Sequence, residues 1–103
     1  METASGGGRA VAQQLTICNR KGLHARASAR FVRTAECFDA EVKVIKDGTA
    51  VSGNSIMGLM MLGAGPGSHI LVQASGKQAR EALEALVELV NNGFDEDSEG
   101  APA

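Results

Sequence analysis

The chain contains no tryptophan and no tyrosine, and three phenylalanines are its only aromatic residues. Its formal net charge is −2 at pH 7. A nucleic-acid-binding domain ordinarily presents a basic surface and aromatic rings on which bases stack. The scarcity of aromatics and the acidic balance therefore argue against nucleic acid as a partner, including the case of a small RNA-binding α/β domain.

Long apolar runs are missing as well. No segment approaches the ~20 consecutive apolar residues that cross a bilayer, and the first residues lack the basic start and apolar stretch of a signal peptide. We therefore expect no membrane insertion and a cytoplasmic location. The two cysteines, Cys18 and Cys37, match no metal-binding spacing. We expect reduced thiols, no metal site and no cofactor.

Hydrophobic residues make up 44% of the 103 residues, which is enough to form the core of one packed domain. Residues 1–10 are rich in glycine and alanine and show no periodicity, which predicts a flexible N-terminal tail. Residues 93–103 are acidic and end in small residues, which predicts a second flexible, solvated tail. The folded domain is thus predicted over residues 11–92.

Hydrophobic periodicity within the domain predicts the element order β-α-β-β-α-β-α. Asp47-Gly48, between two strand-like runs, is a strong signal for a two-residue hairpin. Residues 55–62 favour a short helix that leaves methionines exposed. Because apolar and polar residues alternate along the strands, we expect one face of the sheet to be exposed to solvent. We therefore predict an α+β fold, an open-faced two-layer sandwich whose four-stranded, mostly antiparallel sheet carries three helices on one face.

The most informative short run is Gly22-Leu23-His24-Ala25-Arg26, because a helical pattern begins immediately after the histidine. A helix N-terminus offers unpaired backbone N–H groups and the positive end of a dipole, which suit a phosphate. The dipole also favours a neutral imidazole that can attack a phosphoryl group, with the arginine paired to its oxygens. No carboxylate or second histidine lies nearby in sequence to act as a base. The run therefore indicates a phosphoryl carrier rather than a complete active site.

Other candidate residues allow a structural and a functional interpretation. Arg26, Arg30 and Arg33 share one helix face, either as ordinary solvated charges or as a surface that attracts an acidic partner. Ser55 is an N-cap candidate and also a candidate for phosphorylation, because a helix start tolerates a phosphate. The apolar residues after it are either core or an adaptable docking patch. The patch residues are Ile56, Met57, Met60 and Met61.

These motifs carry a resemblance to a known family. Residues 22–26 (Gly-Leu-His-Ala-Arg), followed by residues 29–32 (Ala-Arg-Phe-Val), resemble the phosphohistidine signature of the HPr phosphocarrier family of the phosphoenolpyruvate-dependent phosphotransferase system. Residues 55–60 resemble the family's second signature, around its regulatory serine. The resemblance spans about residues 11–92.

The resemblance implies that His24 accepts a phosphoryl group on Nδ1 from enzyme I and passes it to an EIIA-type protein. Arg26 would contact the phosphoryl oxygens together with the backbone N–H groups of Ala25 and Arg26. Ser55 would match the serine that HPr kinase/phosphorylase modifies. The protein would then be a substrate of partner enzymes rather than an enzyme, and Arg26, Arg30 and the docking patch would bind those partners.

Two positions depart from the family pattern. Ala27 stands where many members have proline, and Asn54 stands where many have a lysine before the regulatory serine. Both variants look more like the nitrogen-type branch (NPr), whose role is regulatory relay rather than sugar uptake. The alternative hypothesis is a small-molecule-sensing regulatory domain of similar α/β shape.

Overall fold

The computed structural model describes residues 9–96 of the chain. These residues form four strands, three α-helices and a final 3-10 turn, in the order that the sequence pattern predicts. In chain order they are β1 (Arg9–Thr16), α1 (Ala25–Ala35), β2 (Glu41–Lys46), β3 (Thr49–Ser52), α2 (Ile56–Met61), β4 (His69–Gly76), α3 (Ala79–Asn91) and the turn Gly93–Asp95.

The strands form one sheet in the order β1-β4-β2-β3, with all three pairings antiparallel. The hairpin between β2 and β3 turns at Asp47 and Gly48, whose φ angles of 51° and 83° are both positive. A type I′ turn needs this combination at its two central residues, and its twist matches that of the flanking strands. The predicted hairpin is therefore confirmed.

The helices pack against the strands and bury one continuous apolar core. Helix α1 buries the side that its spacing predicts, namely small residues with one phenylalanine and one valine; these are Ala27, Ser28, Phe31, Val32 and Ala35. Helix α2 is so short that Leu59 is its only buried residue. The predicted α+β open-faced sandwich, with three helices on an antiparallel sheet, is confirmed.

Two loops at one end of the sheet are joined by backbone hydrogen bonds. The Ile17 N–H donates to the Ser68 carbonyl, and the Gly67 N–H donates to the Ile17 carbonyl, both at 2.8 Å. The Leu23 N–H donates to the Ala64 carbonyl at 2.9 Å. These bonds fix the loop that enters α1 against the loop that enters β4, and so determine where α1 begins.

Ordered elements extend beyond both ends of the predicted domain, residues 11–92. At the N-terminal end, Arg9 and Ala10 belong to β1 and pair with β4, whereas the sequence predicts a flexible tail there. Backbone pairing requires no side-chain periodicity, so the sequence pattern gives no sign of it. At the other end, Gly93 and Phe94 are buried and Glu96 is half-buried, so these three residues are not the solvated tail that the composition predicts, whereas Asp95 is exposed. The remainder of the two predicted tails, residues 1–8 and 97–103, lies outside the described residues.

The backbone of Gly22 lies close to Ala64 and Gly65, which supplies a test of the contact between the two loops. Its φ is +65°, and a Cβ there would lie 2.1 Å from the Ala64 carbonyl oxygen. Gly63 has nearly the same φ, +64°, but a Cβ there would meet nothing within 4 Å. It is therefore a control that carries the same conformational strain without the clash.

We expect Gly63→Ala to lower the free energy of unfolding by about 1–2 kcal/mol, the cost of a left-handed alanine. Gly22→Ala should lower it by a further ~1–3 kcal/mol, because the added methyl forces the two loops apart. Urea-induced unfolding of the three proteins measures both values. Equal losses in the two variants would show that the close approach of the loops contributes nothing.

Candidate functional site

His24 is the N-cap residue of α1, with φ −77° and ψ −176°. Its Nδ1 accepts a hydrogen bond from the Arg26 backbone N–H at 3.2 Å, and its carbonyl accepts from the Ser28 N–H at 2.8 Å. Its side chain is 27% exposed, so one part of the ring is reachable from solvent. The structure thus places the imidazole at the mouth of the helix, as the sequence predicts.

The turn before His24 is held by the buried side chain of Asn19. Its Nδ2 donates to the Gly22 carbonyl at 2.8 Å, and the Gly22 N–H donates to the Asn19 carbonyl at 3.2 Å. Leu23, between this turn and the histidine, is buried in the core. The position of the imidazole is therefore set by its neighbours on both sides rather than by the helix alone.

Glu96 is the residue of this site that sequence analysis missed. Its Oε2 contacts His24 Nε2, and its Oε1 accepts from Asn19 Nδ2 at 3.0 Å. The residue lies 72 positions beyond the histidine, in a segment predicted to be a solvated tail. The one available signal was Phe94, a lone aromatic in an acidic segment, since an aromatic side chain ordinarily seeks burial.

The two contacts of the ring identify the neutral tautomer. A nitrogen that accepts a hydrogen bond is unprotonated, whereas the nitrogen that faces a carboxylate carries the proton. Nδ1 accepts from Arg26 and Nε2 faces Glu96, so the neutral ring has its lone pair on Nδ1 and its proton on Nε2. The nitrogen that carries the lone pair therefore lies at the N-terminus of α1.

Opposing effects act on the Glu96 carboxyl group. Burial acts to raise its pKa, because it disfavours the charged form. The hydrogen bonds from Asn19 and His24, together with the charges of His24 and Arg30, outweigh burial and leave the pKa of Glu96 below its ordinary value of 4.5. The carboxylate is therefore ionised at neutral pH, in the state that accepts hydrogen bonds on both oxygens.

The arginines of α1 fall into two environments. Arg26 is exposed, and within residues 9–96 its guanidinium has no hydrogen-bonding partner. Arg33 is also exposed. Arg30 is half-buried, and its Nη1 donates to the Phe94 carbonyl, so it holds the C-terminal segment against α1. Arg26 is thus the arginine available beside the mouth of the helix, one residue after the exposed Ala25.

Ser55 occupies the predicted N-cap of α2, where its Oγ accepts from the Gly58 N–H at 2.9 Å. An open groove between α1 and α2 is lined by Ser55, Met57 and Arg33, among others. The groove therefore brings the serine hydroxyl to the same surface as one arginine of α1.

The predicted docking patch is exposed. The exposed fractions are 39% for Ile56, 69% for Met57, 41% for Met60 and 80% for Met61. Two residues after Met61 the chain reaches the loop whose Ala64 carbonyl binds Leu23, next to the histidine. The loop that follows the patch thus contacts the residue that precedes the histidine.

Within residues 9–96, no group of histidine, cysteine, aspartate or glutamate side chains has the arrangement of a metal site. In the same residues, no helix combines the length and the apolar character needed to span a bilayer. Cys18 and Cys37 are both free thiols.

Comparison with known proteins places these features in a family. Residues 11–92 match the family model described as the PTS HPr component phosphorylation site. The chain belongs to the HPr family of the phosphotransferase system. It is 49% identical to the phosphocarrier protein HPr of Pseudomonas aeruginosa over 86 residues, which cover 82% of this chain and 96% of that protein.

Other similar proteins belong to the same family, and some of them carry the name NPr instead of HPr. The chain is 43% identical to the phosphocarrier protein NPr of Escherichia coli K12 over 88 residues, covering 84% of this chain and 98% of that protein. The crystal structure of HPr from Thermoanaerobacter tengcongensis is similar with a TM-score of 0.80 and 41% identity, covering 84% of this chain and 97% of that one. Family membership favours the phosphocarrier over the small-molecule-sensing and RNA-binding alternatives.

The lowered pKa of Glu96 predicts a pH dependence of stability. Because the native pKa lies below the unfolded value, the ionised carboxylate stabilises the fold above about pH 4.5, and this contribution is lost as pH falls through the native pKa. The wild type should therefore be more stable than Glu96→Gln at pH 7, and the difference should shrink in acid.

Urea-induced unfolding at a series of pH values measures this difference. Asp95→Asn, which removes an exposed neighbouring carboxylate, is the control for a general change in net charge. A difference between wild type and Glu96→Gln that stays constant from pH 7 to below the native pKa would contradict the assignment.

Proposed function

We propose that this protein is a phosphocarrier that accepts a phosphoryl group on His24 Nδ1 from enzyme I and passes it to an EIIA-type protein. The observation that carries the proposal is the lone pair of Nδ1 at the start of α1. The match of this chain to the HPr family supports a role in the phosphotransferase system. The protein is a substrate of its partner enzymes rather than an enzyme itself, and we expect it in the cytoplasm.

The transfer is a displacement at phosphorus. The Nδ1 lone pair forms the new N–P bond while the bond between phosphorus and the donor breaks, and its electron pair stays with the donor group. The phosphoryl oxygens then lie at the helix N-terminus, where the N–H groups of Ala25 and Arg26 and the dipole of α1 favour negative charge. The exposed Arg26 guanidinium can pair with the same oxygens.

The Arg26 N–H has two roles in this scheme. In the free protein it donates to Nδ1, and in the phosphorylated protein it becomes available to a phosphoryl oxygen. Its hydrogen bond is exchanged rather than lost, which keeps the cost of adding the phosphoryl group low. The same ring can then release the group to an acceptor by the reverse displacement.

We propose the exposed apolar patch of α2, with the charges of Arg26 and Arg30, as the docking surface for both partners. Methionine side chains are flexible and polarisable, so one patch can fit more than one partner. The arginines attract an acidic surface and raise the rate of encounter. The patch comprises Ile56, Met57, Met60 and Met61.

Ser55 is a proposed regulatory phosphorylation site, with HPr kinase/phosphorylase as the enzyme. A phosphate on a hydroxyl that caps α2 is compatible with the helix dipole, so the fold tolerates it. The nitrogen-type branch, suggested by Ala27 and Asn54, stays a prediction, because relatives named HPr and NPr both match this chain.

We expect the protein to form an acid-labile, base-stable phosphoryl adduct when it is incubated with enzyme I and phosphoenolpyruvate. His24→Ala should form none, because the nucleophile is absent. His69→Ala, which removes the second histidine of the chain, should form the adduct as the wild type does. Mass spectrometry of the three proteins after brief acid and base treatment measures the fraction that carries the adduct. An adduct on His24→Ala would show that another residue accepts the phosphoryl group.

A negative charge at Ser55 should slow phosphoryl acceptance by repelling an acidic partner. Ser55→Asp retains a side chain that can cap α2, so the fold should be preserved. We expect KM for the protein as substrate of enzyme I to rise roughly two- to fivefold, since an exposed charge contact is worth up to about 1 kcal/mol. Thr49→Asp, at the far end of β3, adds the same charge away from α2. Equal kinetics of Ser55→Asp and wild type would remove Ser55 from the docking surface.

A further inference from the structure

We propose that Glu96 is a positioning residue for His24: it holds the imidazole in the tautomer with an unprotonated Nδ1 and faces the positive charge that develops on the ring. The inference rests on the proposed function and concerns the same site. It assigns a role to the C-terminal segment, which lies beyond the residues matched by the family model.

The first argument is the chemistry of the two oxygens. Oε1 accepts from Asn19 Nδ2 while Oε2 faces His24 Nε2. An ionised carboxylate accepts on both oxygens, and a carboxylate cannot donate to Nε2 while it is ionised. The proton of the neutral ring is therefore kept on Nε2, which leaves Nδ1 as the nucleophile.

The side-chain amide of Asn19 holds the Glu96 carboxylate in place. Its Nδ2 donates both to the Gly22 carbonyl and to Glu96, whereas its buried Oδ1 has no hydrogen-bonding partner among residues 9–96. A buried acceptor without a partner destabilises the fold. The amide is thus oriented to supply donors, and one of the two fixes the carboxylate that faces the imidazole.

The second argument is the anchoring of the segment that carries Glu96. Phe94 is completely buried, and its carbonyl accepts from Arg30. Phe94 and Asp95 have φ angles of 57° and 61°, a left-handed conformation that non-glycine residues rarely adopt. Such a conformation persists where surrounding contacts impose it, which is common at functional sites. The segment is therefore a fixed support for the carboxylate and not a loosely attached tail.

The third argument is the charge balance of the transfer. When Nδ1 forms the N–P bond and Nε2 keeps its proton, the ring becomes a cation. The Glu96 carboxylate lies directly opposite that proton and stabilises the cation through a charge-assisted hydrogen bond. The interaction is stronger after the transfer than before it, so it favours the phosphorylated state and the transition state that leads to it.

The tautomer of His24 can be read without any partner protein. Long-range ¹H–¹⁵N NMR of the full chain, at a pH where the ring is neutral, distinguishes a protonated Nε2 from a protonated Nδ1. We expect the wild type and the control Asp95→Asn to hold the proton on Nε2. Glu96→Ala should give a measurable share of the form with the proton on Nδ1, because the Arg26 N–H at 3.2 Å from Nδ1 is then the one remaining contact within residues 9–96 that favours a proton on Nε2. A pure Nε2–H form in Glu96→Ala would overturn the proposal.

Phosphoryl acceptance from enzyme I supplies the second measurement. Glu96→Ala should lower kcat by about tenfold, close to the value of one charge-assisted hydrogen bond, with little change in KM. An unchanged or raised kcat would show that Glu96 has no positioning role or obstructs the site, and would overturn the inference. Failure of the wild type to accept a phosphoryl group would instead overturn the proposed function, while the tautomer measurement would still decide the role of Glu96.

Discussion

The site depends on the close contact between two loops, at Gly22 and Ala64. The backbone of the first loop passes so near the Ala64 carbonyl that no side chain fits between them. The Leu23 N–H donates to the same carbonyl, and the next residue is the histidine. Because helix α1 begins at a fixed point, its N-terminal N–H groups and the imidazole are held in one geometry before any ligand arrives. Preorganisation of this kind lowers the cost of receiving a charged group.

The imidazole is held from two directions that serve different purposes. The helix side contributes the dipole and the Arg26 N–H, which keeps the lone pair of His24 on Nδ1 at the N-terminus of α1. The opposite side contributes Glu96, which arrives from the far end of the chain and is fixed by Asn19. In a catalytic triad a carboxylate orients an imidazole that activates a separate nucleophile, whereas here the oriented imidazole is itself the proposed nucleophile.

Local sequence signals were sufficient wherever the structure is decided by neighbours in the chain. Asp47-Gly48 specifies its own turn, and the apolar spacing after His24 specifies which side of α1 is buried. The same reasoning failed at Phe94 and Glu96. Phe94 is left-handed and Glu96 follows two left-handed residues, and both make contacts with residues far away in sequence. An acidic, small-residue composition ordinarily means solvation, and only the burial of one aromatic ring overrides it.

The pairing of β1 with β4 has a consequence for the order in which the protein matures during synthesis. His24 leaves the ribosome well before the strand that completes its neighbourhood, β4, and before the carboxylate that faces it, Glu96. A nascent chain that lacks β4 also lacks Glu96. In such a chain the sheet does not yet support the hydrogen bond between the Leu23 N–H and the Ala64 carbonyl. The surroundings of the imidazole are therefore complete only after residue 96 has been synthesised, and a shorter nascent chain presents the ring without this carboxylate.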